Sequence, residues 1–298
     1  MFMGIKKITA IILMLCIFAA VTSACADLPK EQAATPQPII DEAIESGIEM
    51  HAEGRKIRDR FGVPYGFERT FAVEGSFADY LRNLPLKSHG SKVHTYSGGI
   101  KRNRAAYEAV VEMDIGEKNL QQCADAVMRL RGEYQFSEGF FDEISFRLTN
   151  GFDVPYVKWR DGWRVKVEGN ETSWLRSAER DDSYEIFRKY MEFVFIYAGT
   201  LSLDRDLKSV PFEDMEIGDV LVQGGSPGHA VILIDMAENP DTGEKIFMLA
   251  QSYMPAQDIH VLSNPNDEKI SPWYSMDFEG RLATPEWTFE KENLKRFD

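Results

Sequence analysis

Cysteine is scarce in this 298-residue chain: Cys16, Cys25 and Cys123 are the whole complement. The first two fall in or just after an apolar N-terminal stretch, which leaves Cys123 alone in the remainder. One thiol cannot close an internal disulfide or build a cysteine-rich zinc site. Histidine is scarce too. His51, His89 and His94 stand among charged or turn residues with no metal-ligand spacing, so neither a metal nor any other cofactor is expected. Basic residues are outnumbered 34 to 48, for a net charge of −14; such a surface repels phosphate backbones and argues against nucleic acid as a partner. Repeats and low-complexity tracts are missing after residue 40, and no interior linker is long enough to force two domains. Apolar residues are plentiful, at 44% hydrophobic and 12% aromatic, enough for a full-sized core and too many for a disordered chain.

The N-terminus has the pattern of an export signal. Lys6 and Lys7 precede an apolar segment from Ile8 to Val21, and small residues follow, Thr22-Ser23-Ala24-Cys25-Ala26. The apolar segment is short for a membrane span. Ala24-Cys25-Ala26 fits an ordinary signal-peptidase site. Ser23-Ala24-Cys25 fits a lipobox in which Cys25 becomes the lipidated first residue, with Thr22 where leucine is usual. The polar, proline-bearing segment that follows suits a tether. The expected organisation is a lipoprotein-type signal over 1–25, a tether over 26–40 and a single α+β domain with elaborations over 41–298. The location implied is the cell envelope, with membrane contact through the lipid anchor.

Periodicity predicts a charged amphipathic helix over 39–62, and a short helix from Ser76 to Leu84 that Ser76 and Asp79 cap and Pro85 stops. Strands are expected over 92–98, 107–116 and 144–152, with a hairpin over 156–169 turning at Asp161-Gly162 and interleaving aromatics with Arg160 and Arg164. The segment 119–134 reads as a helix capped by Asn119, with Cys123, Val127, Leu130 and Tyr134 on one face. The strongest helix covers 183–200, where Phe187, Tyr190, Met191, Val194 and Tyr197 form a wide apolar face. DVLVQG, HAVILID and KIFMLAQ then read as an antiparallel meander, its last turn at 239–243. Helices before strands give the α+β class.

Two distant residues carry the chemistry. A thiol in the first turn of a helix feels unpaired backbone N–H groups, which favour thiolate and lower its pKa. Those N–H groups, with the amide of Gln121 or Gln122, are oxyanion-stabilising candidates. A packed core cysteine would occupy the same apolar face. His229 opens an apolar strand behind Pro227-Gly228 and is the candidate general base. Gln251, at the far end of the next antiparallel strand, lies level with His229. Its amide oxygen can accept an Nδ1–H bond and orient the ring, and Asp258 and His260 lie close by as alternatives.

The order of a helix-borne Cys123, the Gly218-Asp219 turn, His229 opening a strand and Gln251 on the next resembles the papain-like fold of NlpC-type cell-wall amidases. The likeness covers 119–134 and 212–257. It departs at Gln122-Cys123-Ala124-Asp125, where Asp-Cys-Ser-Gly is usual, and in the long separation of Cys123 from His229. It implies a papain-like architecture with the helix-borne cysteine packed on an antiparallel sheet, and a cysteine hydrolase in which Cys123, His229 and Gln251 are nucleophile, base and orienting group. The substrate implied is an amide in cell-wall peptide or elsewhere. GHAVILIDMA, LAQSYMPAQDIHVL and SPWY also resemble a family of exported bacterial proteins catalogued only as a domain of unknown function. The alternative is a non-catalytic envelope protein that uses the same fold for ligand binding or scaffolding.

Overall fold

The computed structural model describes residues 48–298, which belong to one compact unit. The export signal, Cys25, the tether and the first part of the 39–62 helix lie outside the described residues. Among the described residues no helix is long and apolar enough to cross a membrane.

Helix α1, Phe77–Arg82, starts where expected: Ser76 Oγ accepts the Asp79 backbone N–H at 3.2 Å. Helix α2, Cys123–Ser137, carries the lone thiol in its first turn. Helix α3 is a short piece, Tyr156–Arg160. Helix α4, Tyr184–Tyr197, is capped by Ser183, and α5, Thr200–Asp206, follows after a break at Ala198-Gly199.

The expected helix over 39–62 is not continuous. Only Ile57–Arg60 is helical, because the chain folds back on itself: Met50 bridges Phe61, and Gly62 N–H donates to Glu49 O at 2.8 Å. Between Lys92 and Gly98 there are isolated bridges, His94 to Ile100 and Thr95 to Gln257, rather than a strand. The hairpin also shifts. Residues 156–160 are helical, the strands are Trp163–Glu168 and Glu171–Arg176, and the turn is at Gly169-Asn170 instead of Asp161-Gly162. Pro155 is the reason: its fixed φ suits the residue before a helix, and Tyr156 then buries in the core.

Nine antiparallel strands make the main sheet of the described residues: β1 Glu68–Arg69, β2 Tyr107–Val110, β3 Lys208–Ser209, β4 Val220–Gln223, β5 His229–Glu238, β6 Lys245–Gln251, β7 His260–Leu262, β8 Trp273–Ser275 and β9 Leu294–Arg296. Their order is β2-β7-β6-β5-β4-β9-β3, with β1 beside the far end of β5 and β8 beside β6. The expected meander is present, from Gln223↔His229 through Lys245↔Glu238. Asn239 Oδ1 accepts the N–H groups of Asp241 and Thr242 and shapes its last turn.

The central strands are buried on both faces, which explains their nearly unbroken apolar sequence. Ala230, Ile232 and Ile234 join Ala124 and Val127 of α2 and Phe187, Tyr190 and Met191 of α4 in the larger core. Val231 and Leu233 turn to a second core with Phe247, Leu249, Tyr274 and Phe289. Met248 pairs with Asp235 and Leu249 with Leu233, so Ile234 is the extra residue of a bulge that turns Asp235 toward two arginines. Asp235 accepts Arg82 Nε at 2.6 Å and Arg69 Nε at 2.7 Å, pinning α1 and β1 onto β5. The result is an α+β protein in which α2 packs on β5 and brings the thiol to the end of the sheet where β5 begins.

Candidate functional site

Two tight turns precede the thiol: Leu120 N–H donates to Lys118 O at 2.8 Å and Gln122 N–H to Leu120 O at 2.7 Å. The helix therefore begins later than expected, with Gln122 rather than Asn119 at the N-cap. Asp125, at the third helical position, accepts the Gln122 backbone N–H at 2.9 Å. Asn119 turns outward and accepts the Ala256 N–H at 2.8 Å, tying the segment to the chain after β6.

His229 begins β5 after the short connection Gly224–Gly228. Gly228 has to be glycine, because a Cβ there would lie 2.5 Å from both Gly225 O and Thr200 Oγ1. His229 Nε2 meets Gln251 Oε1 at 2.7 Å. The expected pair therefore forms, but through Nε2 rather than the Nδ1 anticipated. An amide oxygen only accepts, so Nε2 carries the proton and the Nδ1 lone pair is left free in the neutral ring.

The remaining hydrogen bonds settle which way the Gln251 amide faces. Its Nε2 donates to Glu286 Oε2 at 2.7 Å and lies 3.4 Å from His260 Nε2. A carboxylate only accepts. His260 Nδ1–H donates to Asp258 O at 2.8 Å, so its Nε2 also offers a lone pair. Lys101 Nζ holds both Glu286 oxygens, at 2.8 and 2.6 Å. Of the alternatives for the third group, His260 joins this network through Gln251, whereas the Asp258 carboxylate pairs with Lys87 at 3.0 Å. Lys101 and Glu286 escaped the sequence reading. They lie 185 residues apart, inside KRNR and TPEW, and neither motif signals a partner.

Burial controls the electrostatics. It pushes the Cys123 thiol up, against backbone N–H groups of Ala230, Ala124 and Cys123 itself, which act in the opposite direction. The thiolate expected from a helix terminus is thus outweighed by desolvation. Burial likewise lowers His229 to about 4, despite the Gln251 hydrogen bond. Both groups are neutral at rest. Burial also raises Asp125 to about 8.

Cys123 and His229 line one cavity of about 490 Å³, together with Gln122, Asp125, Tyr253 and Trp287. The backbone N–H of Ala230, next to His229, is close enough to the thiol to favour its ionisation. Tyr253 and Trp287 flank the imidazole, with ring centroids 5.2 and 5.4 Å away. Gln121 is not on the cavity wall. Its Oε1 accepts Arg129 Nη1 at 2.9 Å, so of the two oxyanion candidates only Gln122 reaches the space beside Cys123. Asp219 of the Gly-Asp turn is held by Arg296, at 2.6 and 2.8 Å, and caps the Glu216 N–H; its role is to shape the start of β4.

Helix-borne thiol, strand-borne imidazole and orienting amide on one antiparallel sheet define an α+β protein with a cavity at the sheet's end. The model for the family described as Domain of unknown function (4846) matches residues 57–296, and the chain belongs to that family. No curated protein and no solved structure matches it.

Proposed function

We propose that the chain is a cysteine hydrolase of papain-like architecture that cleaves an amide bond. The observation that carries this reading is a single cavity lined by Cys123, at the first position of a helix, and by His229, whose ring is held by Gln251. Cys123 Sγ attacks the amide carbonyl carbon while its proton passes to His229 Nδ1. The backbone N–H of Cys123 and the Gln122 amide are the candidate donors to the developing oxyanion. Collapse breaks the C–N bond, and the imidazolium gives its proton to the departing amine. Water then attacks the thioester, losing a proton to the imidazole, and the acid and the thiol are released. Because both groups rest neutral, the thiolate forms only as the base takes its proton during attack.

The same reading takes 1–25 as a lipoprotein-type export signal and Cys25 as the anchor to the envelope membrane, with cell-wall peptide among the amides to be offered. A non-catalytic binding module is the second reading, and the burial that raises the Cys123 thiol favours it.

Alkylation of the native protein by iodoacetamide, read by intact and peptide mass spectrometry, separates the two. A hydrolase gives an adduct at Cys123 on the folded chain, and His229→Ala slows its formation. A thiol that reacts only in denaturant makes Cys123 a packing residue and ends the hydrolase reading.

A further inference from the structure

Resting on that reading, we infer that the cavity takes an amide substrate whose acyl side carries an uncharged, apolar group.

The inference rests on the cavity wall. Leu120, Phe195, Ile196, Tyr253, Met254 and Trp287 give it broad apolar area, and among the described residues no lysine or arginine lines it. The nearby cation, Lys101, is already held by both oxygens of Glu286. An anionic group entering the cavity would shed water and find no counterion. A cationic group would meet only Asp125, whose carboxyl burial keeps largely protonated near neutrality. Either charge loses hydration without recovery, whereas an apolar group gains from leaving water. At the mouth, Ile196 and Met254 are 55% and 61% exposed, apolar surface that a bound acyl group would cover. The volume of about 490 Å³ falls within the usual range for a small-ligand site.

Peptidyl chloromethyl ketones of matched size, ending in phenylalanine, lysine or glutamate, test the proposal. Sγ displaces chloride in each, so the rate of Cys123 modification, divided by the rate with free glutathione, reports how the cavity accepts the side chain. The phenylalanine reagent should react at least about tenfold faster than either charged one, the penalty expected for an unpaired charge. Met254→Glu, at an exposed rim position, should raise the lysine reagent's rate, and Met254→Lys that of the glutamate reagent. Equal or faster reaction of the charged reagents overturns the substrate class while leaving the nucleophile standing; cell-wall peptides rich in free carboxylates would then regain their claim. An adduct that forms only in urea overturns both this inference and the hydrolase reading.

Discussion

Replacing Lys101 by Met should destabilise the fold and disturb the imidazole a network away. The Lys101–Glu286 pair is buried, with side chains 5% and 13% exposed, and Glu286 in turn accepts the Gln251 N–H. Removing one member of a buried pair strands the other charge, at a cost of about 3–5 kcal/mol. The residual exposure of Glu286 and its remaining donor place Lys101→Met near the lower end, about 3 kcal/mol. Glu286→Gln should cost about 2–3 kcal/mol, since an amide oxygen still faces the ammonium. The double variant removes both charges and should cost less than the two singles added, with a coupling energy on the order of 2–3 kcal/mol. Urea unfolding followed by tryptophan fluorescence measures all four corners, as shifts in midpoint at constant m. A second readout distinguishes orientation from stability. In Glu286→Gln the neighbour of Gln251 no longer presents only acceptors, so the Gln251 amide loses its fixed sense and the His229 tautomer is no longer enforced. Alkylation of Cys123 should slow in native buffer, and Glu286→Asp should recover part of the rate. Strictly additive single effects below about 1 kcal/mol, with unchanged alkylation, would refute the reasoning.

Other expectations follow from the same geometry. Burial lowers His260 to about 3, so the unfolded chain takes up a proton from about pH 6.5 downward that the folded chain refuses. The stability present above pH 6.5 is lost as pH falls toward 3, and His260→Gln should remove on the order of 4–5 kcal/mol of that loss. Asp125 works in the opposite sense in both proteins and cancels from this comparison, which acid titration of chemical stability would read. With His229 at about 4, the acid limb of kcat/KM on an amide should fall near pH 4 and not near the ordinary imidazole value; a limb near 6.5 would contradict the burial argument. Gly228→Ala would drive a Cβ into Gly225 O and Thr200 Oγ1, so loss of Cys123 alkylation with retained secondary structure is expected. Phe187 is fully buried and stacks on Phe136 at 4.5 Å; Phe187→Ala should cost about 3–5 kcal/mol in urea unfolding.

Much of the fold could be read along the chain because local rules carried it. Ser76 and Ser183 cap helices through their own hydroxyls, and the wide apolar stripe of α4 could only be a core-facing helix. The apolar strands and the Asn239 turn leave the meander no other register. Failures came where short-range cues met a long-range constraint. The 39–62 pattern looked helical, yet the bridge from Met50 to Phe61 took the same residues into a folded-back loop. Asn119 looked like a cap, yet two tight turns and the Ala256 N–H claimed it instead. The Tyr156–Arg160 segment was drawn into a helix by Pro155 and a buried Tyr156, not by its alternation.

The sequence alone singled out one cysteine and one strand-leading histidine as the candidate pair, because Cys123 is the only cysteine beyond the N-terminal segment and the strand pattern brought Gln251 near His229. Tertiary structure decided the rest. Nε2 rather than Nδ1 meets Gln251, because the orientation of a side chain depends on what surrounds it and not on its position along a strand. Lys101 and Glu286 became partners through packing across 185 residues of chain. The sign of the thiol's shift was decided there too. Helix position predicts a lower pKa for Cys123, but desolvation is a property of the folded surroundings, and it raises the thiol instead.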